Sequence, residues 1–136
     1  MEHEHEMHFL FHPMLVHFPI AFYFLELVLL VLWTSKRDDS YLRFALLSFK
    51  FGYFFMIVAM AAGLKDVGGI SNITGAVRTH VYGALSVFAF YTVRAFLWRS
   101  TRGAIPAYRF THLFGAVIGN VLVLVTGYFG GRLVFS

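Results

Sequence analysis

The sequence predicts an all-α integral membrane protein, a bundle of four transmembrane helices running up-down-up-down with both termini on the outer, periplasmic side. Three observations carry this reading. Of 136 residues, 59% are hydrophobic and only 13% are charged, against roughly 25% charged in a soluble domain, too few to cover a water-facing surface. Four apolar runs, at about 13–34, 42–63, 77–98 and 110–133, each come close to the ~20 residues that cross ~30 Å of hydrocarbon. Basic residues, finally, concentrate at alternate ends of those runs.

The chain divides into an acidic, His-rich tail, 1–11, and one four-helix domain, 12–136. The tail begins MEHEHEMH, the reverse of the positively charged start of a secretory signal, and no small-residue cleavage pattern follows. Its His3, His5 and His8 alternate with Glu2, Glu4 and Glu6. With a free amino terminus, the amine, two backbone amides and the His3 imidazole make a square-planar nitrogen set suited to Cu(II) or Ni(II). A solvated, disordered end is the commoner role for such a segment.

The first run opens on HPMLVHFPIA, residues 12–21, and continues to Trp33. Lys36, Arg37 and Arg43 surround the first loop. The second run holds Ala59-x-x-x-Gly63, a spacing that lets helix backbones approach closely. Lys65, Asp66 and Arg78 flank the second loop, and His80 opens the third run. Arg94, Arg99, Arg102 and Arg109 line the third loop and its flanks. The fourth run carries His112, Gly115-x-x-x-Gly119 and Asn120, and ends TGYFGGRLVF. There Gly127, Gly130 and Gly131 either admit a cofactor edge or form a helix terminus with φ > 0. The positive-inside rule then sets loops one and three in the cytoplasm, where their arginines can also touch anionic lipid. The basic balance of the chain reflects this topology, and no element suited to nucleic acid is present. With no cysteine, disulfides, thiolate ligands and iron–sulfur clusters are excluded.

Histidine within a bilayer must be hydrogen-bonded, buried in protein or bound to metal. With the third helix starting near Ala76, His17 and His80 lie at similar depth, one turn below the outer surface, with His12 just above. Runs one and three are diagonal neighbours in an up-down-up-down bundle. Two imidazoles on diagonal helices suit the axial positions of haem b, and Gly83, Ala84 and Gly115 leave room for a porphyrin. A bare zinc or iron site built from His12, His17, His80 and Asp66 uses the same residues. A single interfacial histidine is more often a hydrogen-bonded anchor than a ligand. The 17 phenylalanines and 7 tyrosines suit a haem pocket and equally a lipid-facing surface.

Deeper in the bilayer, Glu26 and Lys50 are each twelve residues from Asp38 in the first loop. The hairpin brings them to one level, and the simplest reading is an ion pair stapling runs one and two. The functional alternative is a proton path or a quinone head-group contact, with Asn120 at a comparable level. Nine residues separate His17 from Glu26, which at ~100° per residue sets them on opposite faces unless Pro19 kinks the helix.

HPMLVHFPIA, the histidines opening runs three and four, and TGYFGGRLVF resemble a bacterial inner-membrane family, the domain of unknown function 2231. The resemblance covers nearly the whole chain from His12 onward. It implies a four-helix module of the cell inner membrane. Related modules occur fused to Rieske-type or c-type cytochrome domains, which implies electron transfer and haem. It directs attention to His12, His17, His80 and His112. Neither fused domain is present here: there is no C-x-x-C-H and no Rieske Cys/His pair. A redox partner must then be a separate protein or a quinone. The acidic His-rich tail departs from the family pattern.

The resulting expectation is a membrane cytochrome b-like electron-transfer protein. His17 and His80 would ligate haem iron, with His12 as the alternate. His112 would serve a second cofactor, a quinone contact or a hydrogen bond on the cytoplasmic side. Two other classes remain. One is a non-catalytic accessory subunit of a larger respiratory or photosynthetic membrane complex; a homodimer is the other assembly expected. The other is a metal sensor or transporter using the tail and outer histidines, ranked last because four short spans make a poor permeation path.

Overall fold

The computed structural model describes the backbone of residues 2–66 and 75–135, and the side chains of residues 15–63, 78, 79 and 81–128. Four long helices follow one another: α1 (Glu2–Lys36), α2 (Asp39–Asp66), α3 (Gly75–Ser100) and α4 (Arg109–Phe135). Each contains a membrane-length apolar stretch, Leu15–Lys36, Asp39–Gly63, Val81–Ser100 and Ile105–Tyr128. The protein is thus a multi-pass membrane bundle, as its composition requires. Its outer surface is apolar: Phe24, Phe54, Phe96, Phe114 and Leu124 are all exposed, the normal state of a face turned to lipid.

The backbone of the His-rich tail continues α1, which starts at Glu2; the side chains of the tail lie outside the described residues. At its other end α1 stops through a left-handed residue, Arg37 at φ 56°. The Arg37 amide still bonds the Trp33 carbonyl at 2.8 Å, which makes this an αL cap closed without glycine. Asp38 then begins α2 by accepting the Ser40 amide on its carboxylate at 2.9 Å, an N-cap bond. That bond holds the exposed Asp38 carboxyl below the usual aspartate value of 3.8. A depressed folded value means the cap stabilises the charged form, so its contribution is present above pH 3.8 and is lost as pH falls below it. Asp38→Ala should therefore lower the thermal midpoint at pH 7 and make no difference near pH 2. A midpoint unchanged at pH 7 would show that α2 starts without this cap.

α1 packs most closely along α2, then α3 along α4 and α4 against α1, and α2 meets α3 in the sparsest of these four neighbouring contacts. α1 and α3 are therefore diagonal, as an up-down-up-down order requires. The core is largely aromatic: Tyr23, Leu30, Trp33, Phe49, Tyr91 and Trp98 are buried. The rings of Tyr23 and Tyr91 stack across the diagonal with centroids 3.7 Å apart. Glycines make room for this stack. A Cβ on Gly52 would meet the Tyr23 ring at 2.8 Å, and one on Gly119 would collide with the Tyr91 hydroxyl.

Three sequence expectations are corrected by this packing. Gly115 faces the Arg94 side chain, so that space holds a guanidinium and not a porphyrin. Gly127 lies inside α4 with open space beside it. Among the described residues only Arg37 and Gly103 have positive φ, which removes the helix-terminus role for Gly127. Most telling, Glu26 and Lys50 do not pair. Their depths match, but their helical phases do not. Glu26 shares the inner face of α1 with Tyr23, Leu30 and Trp33, at offsets of three, four and seven residues. Lys50 follows buried Phe49 by ~100° and is exposed.

Candidate functional site

Glu26 is fully buried near the middle of the apolar stretch Leu15–Lys36 of α1. Its partner is Arg94 on α3, also buried. The two meet as a bidentate fork, Nη1 to Oε1 at 2.8 Å and Nη2 to Oε2 at 2.7 Å, the geometry that guanidinium and carboxylate planes favour. The Trp98 indole donates to Oε2 at 3.3 Å, and Arg94 Nη2 reaches the His112 carbonyl at 3.4 Å. The guanidinium also lies over Phe49, 5.0 Å from the ring centroid, and over Tyr91 at 5.6 Å. Every helix thus contributes to one enclosed ionic site.

His112 extends this site toward the arginine-rich end of the bundle. It is buried, its ring stacks on Trp98 with centroids 4.2 Å apart, and Nε2 lies 2.9 Å from Thr101 Oγ1. Thr101 spends its hydroxyl proton on the Leu97 carbonyl at 2.7 Å. The hydroxyl oxygen is then the acceptor, so His112 carries a proton on Nε2 and donates it. His112 thus joins Thr101 to the ionic site by two routes, its carbonyl to Arg94 and its ring stack to Trp98, and both of those side chains bond Glu26. Asn120 stands one turn away from Glu26 with its amide committed to the carbonyls of Tyr23 and Ala116.

The terminal half of the bundle is different in kind. An apolar cavity of about 80 Å³ lies between the four helices. Val16, Pro19 and Tyr23 bound it on α1, Met56 and Met60 on α2, Ala84 on α3 and Thr126 on α4. The Tyr23 hydroxyl donates to the Met56 sulfur at 3.5 Å, so Tyr23, backed by its stack on Tyr91, floors the cavity on the side of the ionic site.

Of the predicted ligands, His17 and His112 have described side chains, and neither lines this cavity. His17 is on the exposed side of α1, opposite Glu26 as helical phase demands, with α1 unbroken through Pro19. His80 precedes Ala84 by one turn of α3. The side chains of His3, His12, His80 and Asp66 lie outside the described residues. Among the described residues no three His, Asp or Glu side chains converge on a metal position. His112 stands apart, in the ionic site. Sequence reasoning missed Arg94 as a core residue, assigning it to the flank of a loop, and missed the methionines. The available signal was the face Val87, Tyr91, Arg94, Trp98, whose steps of four, three and four residues mark one stripe of a helix.

Four apolar helices of membrane length around a charged core define a small multi-pass membrane protein. The family model described as a predicted membrane protein, DUF2231, matches residues 9–136, and the chain belongs to that family. No curated protein and no solved structure matches it.

Proposed function

We propose that the chain is a membrane electron-transfer module that takes haem b at its terminal end, where His17 and His80 would hold the iron. One observation supports this over other placements: the cavity lies between the turn of α1 that follows His17 and the turn of α3 that follows His80. The donor chemistry suits low-spin haem iron, which takes two imidazoles or an imidazole and a thioether, and Met56 and Met60 offer the latter. The closed bundle does not hold a porphyrin. Its cavity of about 80 Å³ is smaller than the ~150 Å³ cavity that admits benzene. Loading therefore requires the part of α1 around His17 and the first turns of α3 to separate and His17 to turn inward. Haem would supply one-electron exchange; the chain's own residues would ligate it, wall it with apolar groups and keep it apart from the Glu26–Arg94 site.

The test is a visible spectrum of protein purified in mild detergent with haem supplied during expression, oxidised and then reduced. A sharp Soret band with reduced α and β bands is expected, lost in His17→Ala and in His80→Ala. Retention in both variants would overturn the ligand assignment. A featureless wild-type spectrum would remove the haem reading altogether.

A second reading, a non-catalytic subunit of a larger membrane assembly, is supported by one separate observation. Lys50 is an exposed cation at mid-span, with no hydrogen-bond or ion-pair partner among the described residues.

A further inference from the structure

Lys50 stands near the middle of the membrane-length stretch Asp39–Gly63. Eleven residues of helix place it ~16 Å from Asp39, close to the ~15 Å half-thickness of the hydrocarbon layer. A four-carbon stem spans well under half that distance, so the ammonium does not reach the head groups by extending along the helix. Cations at this depth face a bundle interior, a water-filled cavity or a counter-charge. Lys50 faces outward, between exposed Leu47 and Phe54.

Its surroundings narrow what covers it. Lys50 flanks the seam between α2 and α3, the least packed of the four contacts between neighbouring helices. One turn away, the Tyr53 hydroxyl lies 2.8 Å from Thr92 Oγ1 across that seam. Thr92 already donates to the Phe88 carbonyl at 2.8 Å, so Tyr53 is the donor to Thr92. The seam therefore presents a cation beside an exposed hydroxyl pair within an apolar surface.

A second copy of the chain does not supply the missing anion. Of its seven acidic residues, Glu2, Glu4, Glu6, Asp38 and Asp66 lie outside the apolar stretches, and Asp39 is the end residue of one, ~16 Å from the level of Lys50. The seventh, Glu26, is fully buried on Arg94. A two-fold contact through this seam would set Lys50 against Lys50, which is repulsive.

We propose that the α2–α3 seam is the docking face for a transmembrane helix of a different protein, which presents an aspartate or glutamate to Lys50 at mid-bilayer. The proposal rests on the assembly reading above and is independent of haem. It identifies the partner by chemistry: a membrane span with one carboxylate near its centre, packed along Leu47, Lys50, Phe54 and the Tyr53–Thr92 pair.

A membrane-permeant carbodiimide tests it in native membranes, because it joins a carboxylate to a touching amine with loss of water. Peptide mass spectrometry is expected to find Lys50 amide-linked to an Asp or Glu within an apolar segment of another protein. Lys50→Met should lose that link and the co-migrating species on a native gel, while Lys50→Arg keeps the species. Because Lys50 is exposed, both variants should retain the wild-type helical signal. An assembly that persists in Lys50→Met, or a link to another copy of this chain or to a lipid carboxylate, would overturn the proposal and leave the assembly reading standing. A wild-type chain that migrates alone from native membranes would overturn both.

Discussion

Arg94→Met should destabilise the bundle by about 3–5 kcal/mol, the cost of leaving a buried carboxylate without its counter-charge. Reversible unfolding in mixed micelles reads this directly. The loss is large because Glu26 is fully buried and Arg94 supplies two of its three hydrogen bonds, the third coming from Trp98. Removing the anion along with the cation should recover most of the loss. Glu26→Leu combined with Arg94→Met is expected to be far more stable than Arg94→Met alone, because an apolar pair of similar volume needs no compensation. That non-additivity is the signature of a coupled pair. A cost below about 1 kcal/mol for Arg94→Met would show that solvent reaches the carboxylate and that the diagonal is held by ring packing alone.

Gly119→Ala should cost about 1–3 kcal/mol, the usual penalty for forcing extra volume into a packed core. The added methyl meets the Tyr91 hydroxyl, and the Tyr91 ring is fixed by its stack on Tyr23. The other glycines of α4 provide internal controls. At Gly115 the methyl would meet Arg94 Nε at 3.0 Å, where a flexible side chain can yield, so the loss should be smaller. At Gly127 nothing lies within 4 Å, and alanine should be neutral or stabilising by up to ~1 kcal/mol through helix propensity. Thermal midpoints ordered 119 below 115 below 127 are expected. Equal midpoints at 119 and 127 would place Tyr91 elsewhere than against α4.

The architecture was legible in the sequence because membrane spans announce themselves by length and apolarity alone, and family membership followed from motifs at both ends of the domain. The opposed faces of His17 and Glu26 were also legible, since nine residues of unbroken helix fix that angle. Partnership was not. Counting from Asp38 put Glu26 level with Lys50, but depth ignores phase and the length of side chains. Glu26 is ten residues from the end of α1 and Arg94 six from the end of α3, a difference of ~6 Å along the axis. Two extended side chains cross that gap easily. The position of Arg94 near a helix end also made it look like one more flanking cation, whereas its neighbours at one-turn spacing, Tyr91 and Trp98, are both buried. His112 was recognised as standing on the opposite side from the other histidines, but its stacking on Trp98 depends on the α3–α4 connection, which spacing does not reveal.

The Glu26–Arg94 pair spans 68 residues of sequence, and chains are made from one end. The carboxylate enters the membrane with the first helix, and its cation arrives only with the third. Through the interval, the α1–α2 hairpin carries an unneutralised acid on the face that will become the interior. The hairpin is thus an unfinished product with a built-in reason to wait. Its charge is quenched only when α3 docks, and α4 seals the joint with Gly115 and the His112 carbonyl. Packing at the centre of the bilayer therefore waits on the third helix, whatever the first two have already formed.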